Sequence, residues 1–216
     1  MQNFFSALVL AILLPAPSVF RHPGLISTAA DASPREDSGT ASGATSNSFA
    51  EKLTVSGLPN LGRVSDQLYR GAQPDIASLE QLKKLGITTI VDLRSESFHA
   101  REAERRRAES LGMHFVSIPV GGFSNPSSAQ VAQFFALLRK SPSEKVFVHC
   151  RLGHDRTGVF VATYRIAFDH WSADQAITEM NAFGFSHLFH PSMSAYVRDF
   201  ANRLQSDPVF KSLFSN

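Results

Sequence analysis

Cys150 and Arg156 are the pair whose types and spacing could do chemistry together. Arg151, Leu152, Gly153, His154 and Asp155 lie between them, and Thr157 and Gly158 follow. The run before Cys150, Lys145-Val146-Phe147-Val148-His149, is apolar and β-branched, and an apolar helical pattern opens at Thr157. Strand, tight loop and helix in that order aim backbone N–H groups and a helix N-terminus at one point. Such a point attracts an anion, because the first N–H groups of a helix lack intrahelical partners and the dipole is positive there. Only a thiolate attacks, and a helix N-terminus, N–H donors and a guanidinium all favour it. Arg156 offers a planar fork for two phosphoryl oxygens, which a lysine does not. Gly153 lets the backbone turn so that its N–H points inward. The stretch therefore predicts a phosphate cradle with a nucleophile at its base. Cys150 and Arg156 are its catalytic candidates. Arg151, Leu152, Gly153, His154 and Thr157 bind the substrate, with the Thr157 hydroxyl beside the sulfur to stabilise it as a leaving group. His149 orients the loop.

The elements that must position this loop follow from periodicity. Val64–Tyr69 reads as a first strand and Gly71-Ala72-Gln73-Pro74 as a turn. Pro74 is expected to open a helix with Ile76, Leu79, Leu82 and Leu85 on one face, ended by Gly86. Thr88–Leu93 is a β-branched strand suited to a buried parallel sheet. Arg70 and Arg94 sit at strand ends, where they either attract an anion or make structural hydrogen bonds. A charged helix over 101–111, a strand over 114–118 and an amphipathic helix over 128–140, with a serine cap at its start, precede the cradle. After it, helices are expected to about Phe168, over 172–183 with Ser172 and Gln175 as a capping box, and over 192–204. Phe183, Phe185, Phe189 and Phe200 suggest an aromatic C-terminal core. The fold class is α/β, a central mostly parallel sheet of four to five strands flanked by helices.

The chain has 216 residues, which suits one domain plus extras, and a net charge of +2, which gives no reason to expect a nucleic-acid partner. Its single cysteine excludes an intramolecular disulfide and any multi-cysteine metal site. His170, His187 and His190 match no standard metal spacing, and neither metal nor cofactor is expected. Phe4–Leu14 is apolar but shorter than a membrane span, and Pro15 and Pro17 break it. Residues 1–30 are thus read as a signal peptide or hydrophobic N-terminal segment, although Met1-Gln2-Asn3 carries no Lys or Arg. Export is the expectation, with membrane contact only through this segment. Residues 27–48, rich in Ser, Thr, Ala and Gly, form a flexible linker. Residues 49–216 form the domain, expected to be monomeric.

The run His149, Cys150, Gly153, Arg156, Thr157, Gly158 resembles the His-Cys-x-x-Gly-x-x-Arg-Thr-Gly loop of cysteine-dependent protein tyrosine and dual-specificity phosphatases. Leu68-Tyr69-Arg70-Gly71-Ala72-Gln73-Pro74 and Gly86–Arg94 resemble small atypical dual-specificity phosphatases of the plant-and-fungal type and their bacterial relatives. Sulfurtransferases of the rhodanese type also use a Cys-to-Arg loop, usually one residue shorter. The resemblance implies a phosphoric monoester hydrolase with a cysteinyl-phosphate intermediate, acting on a phosphorylated protein or a small phosphorylated substrate. The alternatives are an inositol (pyro)phosphate or phosphoinositide phosphatase and a phosphate-binding module without turnover. Most of the family carries an aspartic acid on the loop after the preceding strand. Here that loop, Pro119–Ser127, has no Asp, Glu or His. Asp155 is the substitute general acid, as in lipid phosphatases of the myotubularin type; its structural alternative is a helix cap.

Overall fold

The computed structural model describes residues 48–215. The apolar segment expected over 1–30, and the linker up to residue 47, lie outside the described residues.

Among the described residues six strands form one sheet: β1 (Glu51–Lys52), β2 (Gly62–Arg63), β3 (Leu68–Gly71), β4 (Ile87–Arg94), β5 (His114–Val120) and β6 (Lys145–His149), in the order β1-β2-β3-β6-β4-β5. The four strands β3, β6, β4 and β5 are parallel, and two-residue β1 and β2 extend one edge antiparallel. β4 is buried at nearly every position, as its Ile-Thr-Thr-Ile-Val run requires of a strand covered on both faces. β6 lies between β3 and β4, so the loop after it opens at the centre of the sheet's C-terminal edge, where α/β folds place ligands.

Seven helices among the described residues flank the sheet: α1 (Leu79–Lys84), α2 (Phe98–Ser110), α3 (Ser128–Lys140), α4 (Asp155–Phe168), α5 (Ala173–Ala182), α6 (Pro191–Ser206) and α7 (Pro208–Phe214). Leu79, Leu82 and Ala108, from α1 and α2, form one buried cluster with Ile87, Ile90 and Phe147 of the sheet. The remaining helices bury a larger cluster that includes Phe134, Phe135, Phe160, Phe200 and Phe210. α4 is buried from Arg156 to Ala167, so its sequence is apolar on every side rather than striped.

Several expected boundaries shift for local reasons. The helix expected at Pro74 starts later, with a 3-10 turn at Ile76–Ser78 and then α1, because Asp75 is extended and its N–H donates to the Gly57 carbonyl at 3.0 Å. Gly86 ends α1 at φ +84°. The first parallel strand begins at Leu68, because Val64 and Ser65 turn back to donate to the Leu68 carbonyl. The α3 cap is Ser127, one residue before the serine expected; its hydroxyl accepts from Gln130 N in a full capping box. The Ser172–Gln175 capping box forms as expected. α7 was not anticipated; Asp207 caps its N-terminus. Phe189 is not in the aromatic core but 76% exposed, in the turn before α6.

Candidate active site

The loop from Cys150 to His154 joins β6 to α4. α4 starts at Asp155, two residues earlier than the apolar pattern indicated, so Asp155 and Arg156 belong to its first turn. Cys150 is buried, and the Gly153 N–H donates to its Sγ at 3.3 Å. Gly153 has φ +73°, and a Cβ there would lie 2.5 Å from the Gly71 carbonyl carbon and oxygen. Only glycine fits that approach without moving backbone.

Two residues hold the loop from behind: Asn60, which the sequence did not single out, and Arg70, which it did. Asn60 Nδ2 reaches the carbonyls of Leu152 (3.4 Å), Gly153 (3.2 Å) and Phe183 (3.0 Å). The Leu152 carbonyl and the Gly153 N–H share one peptide plane, so holding the oxygen turns the N–H toward the sulfur. Arg70 Nη2 donates to the Gly153 carbonyl at 3.0 Å, and its guanidinium lies 4.0 Å from the Phe183 ring centroid. Full burial pulls the Arg70 guanidinium down to about 10, with the Glu179 and Cys150 charges working against that fall. Of the two roles the sequence left open for Arg70, this is the structural one. The Thr157 hydroxyl has the Gly71 carbonyl as its partner, at 3.5 Å.

Arg156 is held by a residue the sequence reading missed. Its Nη1 and Nη2 meet Glu96 Oε2 and Oε1, both at 2.8 Å, and Nη1 also donates to the Val120 carbonyl at 3.1 Å. These bonds occupy three of the five guanidinium hydrogens. Nε–H and one Nη2–H have no hydrogen-bond partner among the described residues, and that edge is the one suited to two phosphoryl oxygens. Hydrogen bonding to Arg156 pulls the Glu96 carboxyl from 4.5 down to about 2. The depressed value fixes the sign: the pair is at full strength above pH 4.5 and is lost only as pH falls through about 2. Glu96→Gln is therefore expected to loosen Arg156 and lower kcat/KM about 10-fold across neutral pH, with no new acid limb in the pH–rate profile.

His149 is buried and set in a charged cluster. Its Nδ1 lies 3.2 Å from the Cys150 carbonyl oxygen, and its Nε2 lies 2.9 Å from Glu104 Oε1. Arg94 bonds Asp92 at 2.8 Å and Glu104 at 2.6 Å, which gives Arg94 too the structural role. Burial works to raise the Asp92 carboxyl, but Arg94 and His149 outweigh it and hold it below its usual range. Glu104→Ala strands two buried partners, Arg94 and His149. We expect a loss of about 3–5 kcal/mol in urea unfolding.

Asp155 is half-buried, and its Oδ2 lies 3.5 Å from His190 Nε2 at the N-terminus of α6. The helix cap position belongs to His154, whose side chain makes no capping bond. His154 packs instead against Gly184, where an added Cβ would lie 2.8 Å from its Nε2. Arg151 and Leu152 are exposed, and the Arg151 carbonyl accepts from Gln73 N at 3.2 Å. The backbone of β3 and its following turn thus supports the loop on one side, and Glu96 and Val120 support Arg156 on the other.

A family model described as DSP-PTPase phosphatase fused to NAD+ kinase matches residues 58–195, which contain every element of this site. The chain belongs to the DSP-PTPase family. A curated relative, the dual specificity protein phosphatase TpbA of Pseudomonas aeruginosa strain UCBPP-PA14, is 32% identical over 141 residues. That match covers 64% of this chain and 62% of the relative, so the chain spans less than two thirds of that relative's length. A crystal structure of P. aeruginosa TpbA with phosphotyrosine superposes with a TM-score of 0.62 at 27% identity, over 79% of this chain and 99% of that one. The core catalytic domain of a PP-IP phosphatase from S. cerevisiae has the same fold, with a TM-score of 0.62 at 18% identity over 75% and 94% of the two chains.

The β5–α3 loop runs from Gly121 to Ser127 and contains no ionisable side chain. Its Phe123 is 80% exposed and stacks on His190 at 5.2 Å between ring centroids. The loop thus reaches His190, whose ring also faces Asp155.

Proposed function

We propose that this chain is a cysteine-dependent phosphatase of the protein tyrosine/dual-specificity type. The observation that carries the reading is the pairing of two features around one loop. Gly153 aims its N–H at Cys150 Sγ, and Arg156 is clamped so that its Nε/Nη2 edge stays open. The relative named a dual specificity phosphatase, and the phosphotyrosine complex of TpbA, support the substrate class.

The mechanism has two halves. The Cys150 thiolate attacks phosphorus, forming the S–P bond as the ester P–O bond breaks. Arg156 and the loop N–H groups hold the equatorial oxygens, whose charge is redistributed in the transition state. Asp155 protonates the leaving oxygen. Water then attacks the cysteinyl-phosphate, its proton passes to Asp155, and the thiolate leaves. His149 and Glu104 keep the loop in place and take no part in proton transfer.

A second reading, hydrolysis of an inositol pyrophosphate, is favoured by the acid-free β5–α3 loop, because a phosphate leaving group needs less protonation than a phenolate or alkoxide. The test is phosphate release by the full chain from a phosphotyrosine peptide and an inositol pyrophosphate side by side, with Cys150→Ser as control. Faster release from the peptide supports the first reading, and faster release from the pyrophosphate the second. Binding of both without release leaves a phosphate-binding module. Export is a further proposal, supported by the apolar Phe4–Leu14 run and the prolines after it. The mass of the mature chain, short of the N-terminal segment or not, tests it.

A further inference from the structure

We propose that His190 is a positioning residue for the leaving-group acid: it holds Asp155 by one carboxyl oxygen and leaves the other free to face the substrate. The inference rests on the reading of Asp155 as the acid and adds the residue that makes that role workable.

Three contacts meet at the His190 ring. Its Nε2 lies 3.5 Å from Asp155 Oδ2. Phe123 stacks on it at 5.2 Å with an interplanar angle of 26°. Phe185 packs against it at 6.2 Å. The imidazole is therefore in contact with two aromatic rings from two different loops, with a ring nitrogen facing the carboxylate. That seating is specific. His190 occupies the N-cap of α6 with φ −131° and makes no side-chain capping bond, so its ring is not engaged at its own helix. Its N–H donates to the Ser186 carbonyl, which fixes the backbone from the other side.

The arrangement explains how a family member works without an acid on the β5–α3 loop. That loop here supplies Phe123, and Phe123 seats a histidine against a carboxylate already inside the phosphate loop. The His190 ring nitrogen facing Oδ2 fixes the orientation of the Asp155 carboxyl, so that Oδ1 is the oxygen presented to the leaving group. In the first half-reaction the S–P bond forms, the P–O bond breaks, and the leaving oxygen takes a proton from Asp155. In the second, the attacking water returns a proton to the Asp155–His190 pair as the S–P bond breaks. The proton count closes within each turnover.

The test compares phenyl phosphate, whose phenolate leaves poorly, with p-nitrophenyl phosphate, whose leaving group needs little protonation. Full-length wild type, Asp155→Asn, His190→Gln, His190→Phe and the double variant Asp155→Asn/His190→Gln are assayed on both. His190→Phe keeps an aromatic ring against Phe123 and removes both ring nitrogens, including the one that faces Asp155. Both His190 variants are expected to lose about 10- to 100-fold more kcat on phenyl phosphate than on p-nitrophenyl phosphate. The double variant is expected to be no worse than the poorer single one, because the two residues act as a unit. If Asp155→Asn shows this selectivity and the His190 variants slow both esters equally, or neither, the inference is overturned and Asp155 stands alone as the acid. If Asp155→Asn slows both esters equally, the acid reading itself fails and the inference falls with it.

Discussion

Cys150→Ser is expected to abolish turnover, by on the order of 10⁴-fold or more, while inorganic phosphate still binds within a few-fold of wild type. The serine hydroxyl is smaller than the thiol it replaces and introduces no clash, and the Gly153 N–H that donates to Sγ at 3.3 Å has an oxygen acceptor in its place. Asn60, Arg70 and Gly71 still hold the loop, since none of their recorded bonds to it ends on the sulfur. What is lost is the nucleophile: a serine hydroxyl stays protonated where a thiol ionises, and no residue with the geometry of a general base adjoins it. The measurement is kcat on p-nitrophenyl phosphate with phosphate affinity by calorimetry. A serine variant retaining a tenth of the activity would mean that Cys150 does not attack phosphorus.

Arg156→Lys carries the second large effect. The guanidinium has two sets of donors: Nη1 and Nη2 bond Glu96 and Val120, and the Nε/Nη2 edge is left without a protein partner among the described residues, open to phosphoryl oxygens. Burial alone would lower the Arg156 guanidinium, but the bonds to Glu96 and the Cys150 charge outweigh it, so the group is charged throughout the working range. An ammonium can satisfy one of these directions and not both. We expect a loss of about 10²–10³-fold in kcat/KM, the scale of removing a transition-state donor, with phosphate affinity falling as well. The double variant Glu96→Gln/Arg156→Lys is expected to be no worse than Arg156→Lys alone, because Glu96 acts only through the arginine.

The cradle was legible because its parts are neighbours in sequence. His149 to Gly158 form one strand end, one loop and one helix start, so residue type and spacing place them without any long-range contact. The same holds for β4, whose apolar run shows burial on both faces, and for the Ser172–Gln175 cap. The supports of the loop were not legible. Glu96 is 60 residues from Arg156, and Asn60 is 93 from Gly153. Both lie in irregular segments where no periodicity says which way a side chain points. Arg70 and Arg94 were visible as strand-end arginines, but only pairing of the strands shows that both point into the protein. His190 stood out in the sequence only as a poor metal ligand, since nothing local connects it to Asp155. The hydrogen-bond partner of the Thr157 hydroxyl was hidden for a related reason: Gly71 comes from β3, 86 residues away.

The most direct test is to trap the intermediate. Wild-type protein is mixed with excess p-nitrophenyl phosphate, quenched in acid within the first turnovers, digested and analysed by mass spectrometry. The account predicts one phosphoryl group on the peptide carrying Cys150, formed as fast as the first burst of nitrophenol and absent from Cys150→Ser. Nitrophenol release at full rate with no phosphoryl group on that peptide, or with the label on another residue, would contradict it.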